Sequence, residues 1–136
     1  MRIEPYLFFN GRCEEALAFY QTALGANVDF MMRFKDAPED ERGAPEWQDK
    51  VMHACLRLGD SQLMASDGMG PQVTPFSGFS LSIGADSVEQ AERLFAALAE
   101  GGQVSMPLQQ TFWAQAFGML TDRFGVAWMI NSEGNG

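Results

Sequence analysis

Three side chains in this sequence are candidates for acid or base chemistry near neutral pH: His53, the only histidine, together with Asp67 and Tyr6. Imidazole is the side chain whose ordinary titration falls in that range, so His53 is the first candidate for proton transfer. Alternation along residues 51–58 puts it on one strand face with Val51 and Cys55. A single histidine there is expected to be satisfied by its neighbours. The two cysteines, Cys13 and Cys55, are too few for a disulfide framework and lack metal-site spacing. Cys13 stands where a helix begins, a position that can favour a thiolate, but it also falls on that helix's apolar stripe, which predicts a buried, inert thiol. Tyr6, Phe8, Phe112, Trp113 and Trp128 are candidates for stacking on a flat ligand, with Gln109, Gln115 and Asn131 as hydrogen-bonding partners. Of these, Phe8 and Trp128 are expected in the core. Methionines 31, 32, 52, 64, 106, 119 and 129 suit either an adaptable pocket wall or simple gap-filling.

The elements that must position these residues can be read from periodicity. Residues 3–9 form an aromatic-rich strand with Pro5 near its start. A helix spans residues 13–24, with Cys13, Leu17, Tyr20 and Leu24 on one stripe, Glu14 and Glu15 in its first turn and Gly25 as terminator. Residues 27–35 alternate, with Val28, Phe30, Met32 and Phe34 on one side. Residues 36–50 are irregular and acidic, and are expected to be a solvated loop, with Trp47 as the sign of an ordered lid instead. Residues 51–58 and 62–67 form a hairpin across Gly59-Asp60. Residues 68–76 connect to a second series. It consists of a strand at 78–84, a helix at 88–100 capped by Asp86 or Ser87, an edge or bulged strand at 103–110 interrupted by Pro107, and a hairpin over 111–131. In that hairpin the turn is 122–125, and the near-continuous apolar run 126–131 requires cover on both faces. The order β-α-β-β-β thus occurs twice, and overlaying Glu15-Ala16 on Gln90-Ala91 aligns the helices.

Composition excludes several classes. The 136 residues are 46% apolar, too rich for a disordered chain. The 9 basic against 18 acidic residues give a net charge of −9, which repels phosphate backbones and anionic bilayers. No nucleic-acid or membrane partner is expected. No apolar run approaches the roughly 20 residues of a membrane span, and the N-terminus lacks a signal-peptide pattern. A cytoplasmic protein is expected.

The segments PYLFFNG (5–11), EEALAFY (14–20), MASD (64–67), TFWAQAFG (111–118) and TDRFGVAWMIN (121–131) closely resemble the PhnB-like (YjdN-like) branch of the vicinal oxygen chelate superfamily, which includes glyoxalases, bleomycin-resistance proteins and extradiol dioxygenases. The resemblance implies an α+β fold of two βαβββ modules, about 1–68 and 77–136, within a single domain over 1–136. Each module would form a curved half-barrel sheet with its helix on the convex side and a cavity on the concave side. Metal-dependent relatives place His and Glu ligands at positions that fall here on Pro5, about Ser80, Met129 and the segment 63–67, where Asp67 alone is a plausible donor. No metal and no cofactor are therefore expected. A methyltransferase role also travels with this branch, but the chain lacks the Gly-rich turn and parallel α/β pattern of an adenosylmethionine site. The expected function is metal-free binding of a small molecule in an apolar, aromatic cavity lined by Tyr6, His53, Asp67, Gln109, Trp113, Phe117, Met129 and Asn131. The alternative is a superfamily enzyme, a lyase or isomerase, either metal-independent with Asp67, His53 or Tyr6 as acid or base, or with a divalent metal at a degenerate site. The resemblance also implies a homodimer.

Overall fold

In the computed structural model, residues 1–71 and 73–133 are described. The contacts fall into two compact units, Met1–Thr74 and Pro75–Gly136. The first contains β1 (Tyr6–Phe8), α1 (Cys13–Leu24), β2 (Asn27–Arg33), β3 (Val51–Leu58) and β4 (Ser61–Ser66). The second contains β5 (Leu81–Gly84), α2 (Val88–Ala99), β6 (Gln103–Gln109), β7 (Ala116–Thr121) and β8 (Ala127–Ser132). The two sheets share one topology, β1-β4-β3-β2 and β5-β8-β7-β6, each with its first strand parallel to its last and the other pairs antiparallel.

In the first unit α1 packs on β2 and β3 and buries Cys13, Ala16, Leu17 and Tyr20. Gly25 closes the helix at φ 71°, its N–H bonding to the Gln21 carbonyl. The sheet face under the helix carries Leu7, Ala54, Leu56 and Ala65, all buried. The expected first strand is shorter than residues 3–9. Pro5 contributes only its carbonyl, which accepts from Met64 N, and Ile3 is 99% exposed.

Two further expectations fail here. The register of β2 on β3 shifts between Val28 and Phe30 and again between Met32 and Arg33, so simple alternation is lost. Phe34 leaves the strand for a short 3-10 turn and is buried, whereas Phe30 stays 47% exposed. Residues 36–50 are not just a solvated loop. Their acids are exposed, but the segment includes 3-10 turns at Glu39–Glu41 and Pro45–Trp47. It is pinned by buried Trp47, whose Nε1 donates to the Gly68 carbonyl at 2.9 Å.

In the second unit α2 packs on β6, β7 and β8 through Ala91, Leu94, Phe95 and Leu98. Ser87 Oγ accepts from Gln90 N at 3.1 Å while Gln90 Oε1 accepts from Asp86 N at 2.7 Å, a reciprocal cap. Trp128, Ile130, Ala116 and Leu120 fill the space under the helix, and Ala127, Met129, Asn131, Phe117 and Met119 lie half-buried on the opposite face. At Gly118 an added Cβ would lie 2.7 Å from the Phe95 ring and 2.9 Å from Leu108 Cα, so only glycine permits this helix–sheet approach. The expected turn is present: Asp122 Oδ1 accepts from Phe124 N and Val126 N, Oδ2 accepts from Trp128 Nε1, and Gly125 has φ 89°. Strand β6 lies at the sheet edge, and its register shifts on either side of Met106 and across Pro107.

Candidate functional site

The candidate residues separate into three settings. Tyr6 and His53 meet on the face of the first sheet opposite α1. The Tyr6 hydroxyl lies 2.9 Å from His53 Nδ1, and the rings stack with centroids 5.6 Å apart. Phe8 lies 5.1 Å from Tyr6 on one side, and Phe30 5.8 Å from His53 on the other. A row of four rings, Phe8, Tyr6, His53 and Phe30, therefore crosses the sheet from β1 to β2. It forms because β1 pairs in parallel with β4 while β3 and β2 continue the ladder. Tyr6 is level with Met64, Met64 with Cys55, and Cys55 with Phe30. Three rings keep much of their surface open: Tyr6 39%, Phe8 48% and Phe30 47%. The expectation that Phe8 belongs to the core is thus corrected; Trp128, 3% exposed, does belong there. Partial burial holds the Tyr6 phenol above its ordinary titration range, with Cys13 and Cys55 adding to that and a hydrogen bond with Ser66 opposing it. His53 Nε2 in turn lies 3.6 Å from Cys55 Sγ.

Asp67 stands apart from this row. Its side chain is 1% exposed, with Oδ1 accepting from Gly11 N and Cys13 N and Oδ2 from Val51 N, each at 2.8 Å. It joins the turn before α1 to the start of β3, and places its negative charge at the helix N-terminus. Cys13 beside it is buried, and its thiol is pushed far above the ordinary range by burial, then by Asp67 and Glu14. Next to Asp67 lies a cleft of about 410 Å³ bordered by Glu14, Arg33, Lys35, Asp49 and Lys50. Its charges answer one another: Arg33 Nη2 to Glu14 at 2.7 Å, Lys35 to Asp49 at 3.2 Å, and Lys50 Nζ donating to the Gly11 carbonyl at 2.9 Å. The Arg33 hydrogen bond holds Glu14 below the usual carboxylate range. These pairs make the cleft a seam between α1 and residues 34–50.

The remaining candidates lie in the second unit. Phe117, Met129 and Asn131 occupy the sheet face opposite α2, and Asn131 is level with Phe117, which is level with Gln109. Trp113, on the loop before β7, places its ring 5.4 Å from Phe117 and is 52% exposed. Sequence reasoning placed Cys55 on the strand face of His53 but missed Phe30 as its neighbour. The bulges of β2 that bring Phe30 to this row leave no compositional mark.

The superfamily's metal does not fit these residues. Pro5 and Met129 offer no hard donor, and both oxygens of Asp67 are engaged by backbone N–H groups. Among the described residues no three His, Cys, Asp or Glu side chains converge as a metal centre would require.

A family model described as 3-demethylubiquinone-9 3-methyltransferase matches residues 1–131. The chain belongs to that family. This PhnB-like chain is 39% identical to protein YjdN of Escherichia coli (strain K12), the match covering 96% of this chain and 95% of YjdN. The crystal structure of protein PA1353 from Pseudomonas aeruginosa is 51% identical, with TM-score 0.88 over 98% of each chain. A putative 3-demethylubiquinone-9 3-methyltransferase, PhnB protein, from Bacillus cereus is 27% identical, with TM-score 0.80 over 97% of this chain and 99% of that one. At the level of fold alone, a glyoxylase/bleomycin resistance protein/dioxygenase domain from Frankia sp. EAN1pec superposes with TM-score 0.65 at 16% identity, covering 100% of this chain and 94% of that one. The PhnB-like fold is thus α+β and of the glyoxalase/bleomycin resistance/dioxygenase type. Among the described residues no helix is long and apolar enough to cross a membrane.

Proposed function

We propose that this protein binds a small planar aromatic molecule, without a metal, on the ring row of its first sheet. The observation that carries this reading is the row itself: Phe8, Tyr6 and Phe30 stay 48%, 39% and 47% exposed beside a polar centre made by the Tyr6 hydroxyl and His53. Exposed aromatic surface of this kind is costly to leave in water and suits a ligand that stacks on rings and meets one hydrogen-bonding group. Gln109, Trp113, Phe117, Met129 and Asn131 are proposed separately, as ligand contacts of the second unit in its own right. Asp67 enters it as the clamp that holds the turn before α1.

The methyl transfer in the family's description is not part of this reading. A helix N-terminus facing a strand–turn entry is where a cofactor's anionic group would be held. Here the amides of Gly11 and Cys13 are already committed to the Asp67 carboxylate. A second reading, an enzyme in which His53 acts as acid or base, is favoured by the 2.9 Å contact that fixes the imidazole on Tyr6. Thermal-shift measurements over a broad panel of planar phenols and aromatic carboxylic acids test the binding reading. Stabilisation by members of the panel is expected, and none across the panel would contradict it.

A further inference from the structure

The two thiols of the chain sit in opposite environments, and only one lies among the rings. Cys13 is sealed in the core at the start of α1. Cys55 is half-buried on the open face of β3, level with Met64 and Tyr6 on one side and Phe30 on the other. Its Sγ is 3.6 Å from His53 Nε2, and His53 Nδ1 is 2.9 Å from the Tyr6 hydroxyl. Three protic side chains therefore form a line, Tyr6–His53–Cys55, in the middle of the ring row. In the tautomer protonated at Nδ1, the ring N–H is donated to the Tyr6 oxygen and Nε2 presents its lone pair to the thiol. This is the arrangement of a nucleophile beside a base that a third group orients.

We propose that Cys55 is a nucleophile for planar α,β-unsaturated carbonyl compounds that stack on this row, with His53 as its base and Tyr6 as the positioning residue. The site of stacking rests on the binding reading above; the assignment of nucleophile and base does not. In the addition, Cys55 Sγ forms a bond to the β-carbon as its proton passes to His53 Nε2. The C=C π electrons move onto the carbonyl as an enolate, and the imidazolium returns the proton to the α-carbon. The net change is addition of S–H across C=C, with no oxidant or reductant consumed. The product is a thioether on Cys55, so the protein would capture such electrophiles as well as bind their unreactive analogues.

The test uses N-phenylmaleimide, a planar aromatic acceptor, and N-ethylmaleimide, which lacks the ring, on the full chain at pH 7, with peptide mapping by mass spectrometry. An unassisted thiol is only about 3% thiolate at that pH, so assistance by a base is worth at most about 30-fold. The expected result is one adduct, at Cys55 and not Cys13, with a rate that saturates in N-phenylmaleimide. His53→Gln is expected to slow both reagents about 10-fold. Tyr6→Phe, which keeps the ring, is expected to slow both about three-fold with the half-saturating concentration unchanged. A His53→Gln rate within two-fold of the parent for both reagents, or labelling of Cys13 as fast as Cys55, would overturn the proposal. If His53→Gln loses the parent's circular dichroism, Tyr6→Phe decides, and an unchanged rate overturns. A rate linear in N-phenylmaleimide with His53 dependence intact would remove stacking on the row and keep the nucleophile. Saturation without His53 dependence would keep the binding and remove the nucleophile–base pair.

Discussion

Replacing Asp67 by Asn changes almost no volume, and so isolates the three hydrogen bonds that hold the turn before α1 against β3. In the native arrangement Oδ1 accepts from Gly11 N and Cys13 N and Oδ2 from Val51 N. An asparagine can keep its single oxygen on the first pair only by aiming its NH2 group at the Val51 N–H. Val51 is 0% exposed, so that donor cannot turn to water. Leaving it unpaired costs about 1–3 kcal/mol. The two surviving bonds lose their charge assistance, which removes about 1 kcal/mol more. The total is about 3 kcal/mol, and for a chain of this length each kcal/mol lowers Tm by roughly 4 °C. Thermal unfolding of parent and Asp67→Asn, followed by far-ultraviolet circular dichroism at pH 7, should therefore show a drop of about 12 °C. A variant melting within about 2 °C of the parent would refute the reasoning. Such a result, joined to loss of ligand binding, would make Asp67 a ligand contact instead of a clamp.

Cys13 supplies a pH dependence. Its thiol is held far above the ordinary value of 9.0 in the folded chain, so the native state keeps a proton that the unfolded chain releases. That contribution is fully present below pH 9 and is lost as pH rises towards the folded value. Stability should fall by about 1.4 kcal/mol between pH 8 and pH 10 in urea titrations, and the fall should be smaller in Cys13→Ala by that amount. Equal pH slopes in the two proteins would count against it. The family resemblance further predicts a homodimer, and a monomer in sedimentation at micromolar concentration would contradict it.

How much of this was legible in the sequence depended on whether the deciding contact was local. The first helix was read to its observed ends because its stripe, its acidic first turn and the left-handed Gly25 all lie between Cys13 and Gly25. The turn at 122–125 and the edge position of β6 were equally local, carried by Asp122 and Gly125 in one case and Pro107 in the other. Non-local features escaped. The pairing of Tyr6 with His53 spans 47 positions and depends on the parallel register of β1 on β4. Trp47 could be recognised as a ring in want of cover, but its partner, the Gly68 carbonyl, lies 21 residues away. The irregularities in β2 separate Phe30 from Phe34, which simple alternation puts on one side, because one shifted residue exchanges the two faces of a strand. Phe8 was misassigned for a related reason: alternation in a short strand says that two faces exist, not which one the helix covers.

The central claim is that a planar ligand rests on the row formed by Phe8, Tyr6, His53 and Phe30. The most direct measurement is calorimetric titration of a stabilising aromatic compound from the panel into parent, Phe30→Ala and His53→Ala. Binding at one site per chain is expected in the parent, and removing a half-exposed stacking ring should weaken it by about 1 kcal/mol or more, roughly five-fold or greater in Kd. Unchanged affinity in both variants, with their folds intact, would place the ligand elsewhere and contradict the claim.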